Sequence, residues 1–253
     1  MPSQTFLSVI VPAYNEKNNL QRPILQEMVN YLQKQNYQWE LILSDDGSTD
    51  GTLEIFRKFA KNYKQIKILA NPHRGKGPTV TSGMLLANGQ WRLFTDFDQS
   101  TSLCEIEKLL KYTKKFDIVI GSREAEGALR DKEPFYRHLM GRGFNLIVQL
   151  LAVPGFKDTQ CGFKLFSATA TKKLFPKLYI YRQGQAQKGA FTGAFDVELL
   201  FLAKKHGFKT KEVPILWKHF ETDRVNPIKD SWHMFQDIIK IRLADASGKY
   251  SID

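Results

Sequence analysis

The sequence predicts an α/β protein built on a mostly parallel central sheet covered by helices on both faces. Three observations lead there. Short apolar runs rich in β-branched residues alternate with segments whose apolar residues recur at helical spacing, the pattern of strand–helix–strand units. Two of the runs end directly in acidic residues, at the carboxyl ends of strands, where such sheets bind ligands. The 253 residues suffice for one sizeable core, and no break in composition marks a linker.

The elements follow in order. Phe6 to Val11 is apolar and closed by Pro12, as a buried strand is. Asn18 to Gln35 carries Leu20, Ile24, Met28 and Leu32 along one helical stripe. Trp39 to Leu43 is a second strand and ends in the turn-rich Ser44-Asp45-Asp46-Gly47-Ser48. Thr52 to Tyr63 reads as a helix, Ile66 to Leu69 as a strand and Pro78 to Ala87 as a helix. Trp91 to Thr95 is a strand that runs straight into Asp96. Leu103 to Tyr112 is helical, and Asp117 to Ser122 is a further strand. Beyond Arg123 the character changes: Glu124 to Glu133 is a polar loop, and Phe135 to Leu151 a helix with Phe135, Leu139, Leu146 and Leu150 on one side. Asp196 to His206 is helical, Thr210 to Leu216 a strand and Ser231 to Leu243 a last amphipathic helix. A single domain is expected over 1–253, with a ligand-binding half at 1–125 and a second half at 126–253.

Composition narrows the class. Lysine and arginine outnumber aspartate and glutamate by 37 to 26, and the net charge of +11 attracts polyanions: nucleic acid, phosphorylated substrates or an anionic membrane surface. Cys104 and Cys161 are far apart with no secretory signal ahead of them, which reads as two free thiols in a reducing compartment. No apolar run approaches the roughly 18 residues needed to span a bilayer. The longest, Phe144 to Val153, is interrupted by Gln149 and stopped by Pro154.

Four stretches can carry chemistry. Asp96-Phe97-Asp98 places two carboxylates, one residue apart, directly after a strand, where they can converge on one hard cation; taken alone, the same triplet also suits a solvated turn. Asp45 to Thr52 links a strand to a helix, and its acids can accept from a nucleobase N–H and ribose hydroxyls. Turn chemistry with Thr49 or Asp50 as helix cap is the other reading of that segment. His73-Arg74-Gly75-Lys76-Gly77 sets cations between glycines ahead of a helix, a place for phosphate, although a surface turn looks the same. It is not a Walker loop, lacking both the spacing and the Ser or Thr after the lysine. Arg123, Arg130, Arg137 and Arg142 form a basic stretch suited to a phosphate, with Arg130 read as a solvated residue. The five histidines lack zinc spacing, and no Gly-x-Ser-x-Gly elbow occurs.

Together these motifs resemble glycosyltransferase family 2. The carriers are Val11-Pro12-Ala13-Tyr14-Asn15-Glu16, Asp45 to Thr52, Arg74-Gly75-Lys76-Gly77 and Asp96-x-Asp98. The second half resembles more narrowly the members that glycosylate dolichyl and other polyprenyl phosphates, the dolichyl-phosphate β-glucosyltransferases and the related mannose synthases. Its carriers are Asp158 to Phe166, Ala194 to Leu200, and Trp217 followed by Ile239 to Leu243. The resemblance implies a GT-A fold with a Rossmann-like nucleotide-binding half, a divalent metal (Mg2+ or Mn2+), a nucleotide-sugar donor and a polyprenyl-phosphate acceptor. It implies transfer of a hexose with inversion, glucose from UDP-glucose first; GDP-mannose or a polysaccharide acceptor is the alternative. Pro12, Ala13, Tyr14 and Glu16 would border the nucleoside, Asp45 and Asp46 would bind the donor with Asp46 on the base, and Lys76 would lie near the nucleotide. Asp96 and Asp98 would serve ribose, diphosphate and metal. Arg123, Arg137 and Arg142 would hold phosphates, and Asp158 and Gln160 would sit near the transferred sugar.

The chain departs from the family at several points. It begins at the first strand, where the family's glucosyltransferases usually carry a membrane-spanning helix. Gln99-Ser100-Thr101 is an unusual continuation of the metal motif, Pro78 stands where small residues are common, and Gln183 to Gly193 resembles an insertion. A phosphate acceptor is largely ionised near neutral pH, its second pKa being about 6. It therefore needs little help from a general base; Asp158 is the candidate if one is required, or else a structural cap. The helices Phe135–Leu151 and Ser231–Leu243 either pack on the sheet or lie on a membrane, so the expected location is peripheral, on the cytoplasmic face. Nucleic acid is not an expected partner. A nucleotidyltransferase would want a glycine-rich first loop, which Pro12-Ala13-Tyr14-Asn15 is not, and a non-catalytic polyanion binder would leave the strand-end carboxylates unexplained.

Overall fold

A computed structural model describes residues 4–131, 148–149, 152–182, 194–220 and 227–251, with 227–231 described by backbone alone. The elements are β1 (Leu7–Ala13), α1 (Ile24–Gln33), β2 (Trp39–Asp45), α2 (Thr52–Ala60), β3 (Ile66–Ala70), α3 (Lys76–Leu86), β4 (Trp91–Thr95), α4 (Ile106–Leu110), β5 (Ile118–Ser122) and β6 (Leu129–Arg130). They continue with β7 (Phe163–Ser167), α5 (Ala168–Leu174), α6 (Phe195–Lys205), β8 (Thr210–Pro214), β9 (Leu216–Trp217) and α7 (Pro227–Ala246).

Seven strands form one sheet in the order β3-β2-β1-β4-β7-β5-β8. All neighbours run parallel except β7, which pairs antiparallel with both β4 and β5. Side chains alternate across each strand, so successive residues feed two cores. On one face Ile10, Ile42, Phe94, Ile118, Ile120 and Phe166 pack with residues of α3, α5, α6 and α7. On the other, Val9, Val11, Leu41, Leu43, Leu93, Val119 and Leu165 pack with α1, α2 and α4. Burial on both faces explains why β1 and β2 read as unbroken apolar runs rather than as alternation.

Local chemistry accounts for the differences from the sequence expectation. The helix expected over Asn18–Gln35 is a short 3₁₀ turn at Asn19–Gln21 followed by α1. Pro23 forces Arg22 into an extended conformation (ψ 150°), so the first turn cannot run into the second. Within the expected polar loop, Leu129 and Arg130 form β6 and pair with β9. Ile215 ends the main-sheet ladder: its N–H donates to the Ser122 carbonyl and its carbonyl accepts from Leu129, so the expected strand divides there into β8 and β9. The last helix is longer than its apolar stripe, and Tyr250 beyond it donates a 2.5 Å hydrogen bond to buried Glu198. The expected helix at 135–151 lies outside the described residues except for Val148 and Gln149, and Gln183–Gly193 lies wholly outside them.

Candidate active site

Because β1, β2 and β4 are neighbours running the same way, their carboxyl ends deliver three segments to one edge: Tyr14–Glu16, Asp45–Asp46 and Asp96–Asp98. The first two are stitched together. Asp46 N–H donates to the Ala13 carbonyl (2.8 Å), Asn15 N–H to Ser48 Oγ (2.9 Å) and Glu16 N–H to Thr52 Oγ1 (2.8 Å). Pro12 and Ala13 are buried at the end of β1. Tyr14 stacks on His73 with ring centroids 4.1 Å apart, building an aromatic wall at this edge.

The two neighbouring aspartates have different tasks. Both oxygens of Asp46 are taken by protein donors: Arg74 N–H (2.9 Å), Gly75 N–H (2.9 Å), Thr79 Oγ1 (2.7 Å) and His73 Nδ1 (2.9 Å). Its carboxylate therefore shapes the loop that carries Lys76. Asp45 closes a turn through Oδ2, which accepts from Gly47 and Ser48, while its buried Oδ1 has no hydrogen-bond partner. A buried carboxylate oxygen without a donor is costly in the ligand-free chain, and it is the acceptor left for an incoming N–H. The resemblance implies a base contact for Asp46, whose oxygens are engaged within the protein here, whereas Asp45 Oδ1 is not.

Lys76 opens α3 after Gly75, whose φ of 91° suits glycine. Its Nζ lies 2.5 Å from Asp96 Oδ1. Burial works to lower the Lys76 pKa, but the charges of Asp96, Asp196 and Asp98 outweigh it and hold the ammonium above its ordinary value. Asp98 is the converse: burial foremost, and then the nearby Asp96 charge, push its carboxyl up. Two carboxylates with this mutual repulsion and a lysine drawn onto one of them form an oxygen-ligand pair that calls for a cation, so the residues present fit a hard divalent metal. Among the described residues no group of three or more His, Cys, Asp or Glu is placed to hold a metal.

The segment that leads into β7 brings the second half to the same edge. Asp96 N–H donates to the Gly162 carbonyl (3.1 Å), and a Cβ on Gly162 would stand 2.0 Å from Asp96 Oδ2. Asp158 is buried and fully engaged. Its Oδ2 accepts from Arg123 N–H (2.9 Å) and Nε (2.7 Å), and its Oδ1 from Arg123 Nη2 (2.8 Å) and Gln160 N–H (3.2 Å). Burial alone would raise its pKa, yet the Arg123 guanidinium overrides this and holds it at about 2. Glu212 on β8 accepts the N–H groups of Lys157 and Asp158, fixing the segment from the other side. Buried Cys161, its thiol pushed up to about 12 by burial first, also feels the charges of Asp158, Arg123, Lys164 and Asp96. Gln160 reaches across to α7, its Nε2 lying 3.2 Å from Met234 Sδ.

The sequence reading took three residues here as carriers of the resemblance without giving them a role. Lys164 is fully buried and its Nζ lies 2.6 Å from Asp196; a lone lysine in Phe163-Lys164-Leu165-Phe166 was its available signal. Gly162 gave none, because nothing local announces a close approach from β4. Trp217 takes the Arg130 guanidinium at 5.2 Å and Arg123 at 5.7 Å from its ring centre, and Arg130 also pairs with Glu124 at 2.5 Å, so Arg130 is not a solvated residue. Arg137 and Arg142 lie outside the described residues.

The sheet order, the antiparallel β7 and the strand-end carboxylates define a GT-A glycosyltransferase. The model of the family Glycosyl transferase family 2 matches residues 8–175, and the chain belongs to that family. Among curated relatives it is 34% identical to the dolichyl-phosphate beta-glucosyltransferase of Dictyostelium discoideum, with 98% of this chain and 77% of the relative covered. It is 33% identical to the Saccharomyces cerevisiae enzyme of the same name, covering 98% of this chain and 77% of the relative. To the Homo sapiens enzyme it is 32% identical, over 98% of this chain and 78% of the relative. Among solved structures, glucosyl-3-phosphoglycerate synthase of Mycobacterium tuberculosis, in complex with Mn2+, UDP and glucosyl-3-phosphoglycerate, superposes with a TM-score of 0.62 at 17% identity. That likeness covers 99% of this chain and 81% of the other, and it bears on the fold.

Proposed function

We propose that this chain is an inverting hexosyltransferase that moves glucose from UDP-glucose to dolichyl phosphate or a related polyprenyl phosphate. The observation that carries this is the likeness, over 98% of this chain, to three dolichyl-phosphate beta-glucosyltransferases, joined to a strand-end site that offers what such a donor needs. Asp45 Oδ1 is a ready acceptor for a base N–H, and Tyr14 stacked on His73 gives a wall for the nucleoside. Pro12, Ala13 and Glu16 would border the nucleoside beside them.

Asp96 and Asp98 would hold the divalent metal, whose chemistry is to neutralise the diphosphate and ease its departure. Lys76 adds a fixed positive charge beside them. Arg123 is the cation for acceptor or donor phosphate, with Arg137 and Arg142 proposed to share that task. An ionised acceptor phosphate needs no strong base, and Asp158, locked to Arg123 by three hydrogen bonds, suits positioning rather than proton removal. Gln160 would border the transferred sugar from the same segment.

The proposed location is peripheral, on the cytoplasmic face of a membrane. Along α7, Trp232 (59% exposed), Ile239 (38%) and Leu243 (62%) face outward, spaced for one side of a helix, with the basic Lys240 and Arg242 exposed beside them. Among the described residues no helix is long and apolar enough to cross a membrane.

Product analysis tests the reading. The protein is incubated with Mg2+ or Mn2+, dolichyl phosphate, and either UDP-glucose or GDP-mannose; the expected product is β-linked glucosyl-phosphoryl-dolichol from UDP-glucose, lost on adding EDTA. Product from GDP-mannose alone refutes the donor, and full activity in EDTA refutes the metal role.

A further inference from the structure

Lys76 is placed where the metal pair needs a cation. Its ammonium lies 2.5 Å from Asp96 Oδ1, and the lysine is the less exposed partner, 19% against 40% for the carboxylate side chain. It cannot drift far. It is the first residue of α3, and the loop before it is clamped by Asp46, which accepts from the backbone N–H groups of both Arg74 and Gly75. The next residue, Gly77, packs so closely that a Cβ there would stand 3.2 Å from Phe195. The helix start is therefore seated against α6, and the lysine points into the carboxylate group from a rigid base.

The charges of that group follow from its members. Asp96, Asp98 and Asp196 are three negative charges in the field of Lys76, and buried Lys164 is paired to Asp196 at 2.6 Å. Three carboxylates against two ammoniums leave one net negative charge. A divalent cation entering with both lysines in place would make the group net positive and would bring an ammonium and a metal to the same carboxylate. A donor diphosphate, carrying two negative charges, returns the group to one net negative charge and offers oxygens that the displaced ammonium can take.

We infer that Lys76 is the resident counter-cation of the Asp96–Asp98 pair in the ligand-free protein. It yields Asp96 only when metal and donor diphosphate arrive together, so that each strengthens the binding of the other. This rests on the proposed metal role of Asp96 and Asp98. The lysine thus acts as a gate on metal binding: it keeps the paired carboxylates from taking up divalent cations unproductively and moves its charge to the diphosphate when the donor is present. By linkage the effect is reciprocal: the metal must tighten UDP by the same factor as UDP tightens the metal.

The test is titration of Mn2+, followed by its EPR signal or by calorimetry, into the full-length wild type, Lys76→Met and Lys76→Arg, each with and without UDP. Circular dichroism melts confirm that each variant is folded. The wild type is expected to bind Mn2+ about tenfold or more tightly with UDP than without. Lys76→Met is expected to bind Mn2+ without UDP about tenfold more tightly than the wild type, because a like charge beside the site is gone, and to gain less from UDP than the wild type does, only the direct attraction of diphosphate and metal remaining. Lys76→Arg keeps the charge and should keep the weak nucleotide-free binding. If Lys76→Met binds nucleotide-free Mn2+ no more tightly than the wild type while UDP strengthens both alike, this inference is overturned and the metal site stands. If the wild type binds no Mn2+ even with UDP, the metal role itself falls, and this inference with it.

Discussion

Replacing Gly162 by alanine adds one methyl group where the chain has packed a carboxylate against bare backbone. The new Cβ would stand 2.0 Å from Asp96 Oδ2, 2.4 Å from Cγ and 2.6 Å from Oδ1, whereas ordinary contact begins near 3.4 Å. The nearest oxygen must therefore retreat by about 1.4 Å, the difference between 3.4 and 2.0 Å. The backbone cannot supply that movement cheaply, because Asp96 N–H is tied to the Gly162 carbonyl at 3.1 Å and β4 and β7 continue as a ladder from there. The side chain must turn instead, which takes Oδ1 away from Lys76 and Asp96 away from its partner Asp98. A displacement of about 1 Å at a catalytic group costs on the order of 10²-fold in rate, or about 2.7 kcal/mol of transition-state stabilisation. Folding should suffer little: Asp96 is 40% exposed, and a half-exposed ion pair contributes at most about 1 kcal/mol. The assay is kcat/KM for glucose transfer from UDP-glucose to a short-chain polyprenyl phosphate, measured beside Tm. Gly162→Ala is expected to lose about two orders of magnitude in kcat/KM with Tm within a few degrees of wild type. A variant with wild-type kcat/KM and wild-type Tm would show that the position of Asp96 does not matter to the reaction.

Other predictions test the supports around that centre. Lys164→Met leaves the Asp196 carboxylate buried without its partner and should cost about 3–5 kcal/mol in urea unfolding, and a change below about 0.5 kcal/mol would refute the pairing. Asp158 has a folded pKa of about 2, below the ordinary 3.8, so its contribution of about 2 kcal/mol is present above pH 4 and is lost as pH falls toward 2. Asp158→Asn should accordingly lose less stability than wild type between pH 5 and about 2.5, and equal losses in urea midpoints would contradict the Arg123 lock. Leu243→Glu, on the outward face of α7, should reduce flotation with anionic liposomes several-fold while leaving Tm unchanged. Unchanged flotation would remove that face from the membrane contact.

The first half of the fold was legible because each buried strand is a dense apolar run and α1 and α2 are amphipathic. β1, β2 and β4 could thus be placed, together with the acids that follow them. β7 was missed because Lys164 interrupts its apolar run, and the partner that makes that lysine tolerable, Asp196, is far along the chain. The division of labour between Asp45 and Asp46 was equally hidden: it depends on which carboxylate meets the 73–79 loop, a tertiary fact. Arg130 looked like a solvated residue because Trp217 meets it through the β6–β9 pairing, far along the chain, while Glu124, six residues before it, carries no sequence signal of the contact. Motif spacing found the groups that can bear charge. It could not find Gly162, whose contribution is the space it leaves.

The placement of β7 has a consequence for how this molecule is put together. Among the described residues β4 and β5 share no ladder; β7 lies between them, pairing with both, and it arrives some forty residues after β5 has ended. A nascent chain that has emerged only as far as residue 125 thus holds a four-stranded sheet with β4 as an open edge, and β5 with neither of its neighbours, a state prone to pairing with other chains. Closure comes when Phe163–Ser167 slides in between, and the same event brings Asp158 to Arg123 and Gly162 to Asp96. Joining β5 to the rest of the sheet and making these contacts of the candidate site are thus one step. The two halves of the sequence are on this account not modules that could be exchanged or expressed apart, and a half-protein ending near residue 125 should be recovered as aggregate rather than as a nucleotide-binding fragment.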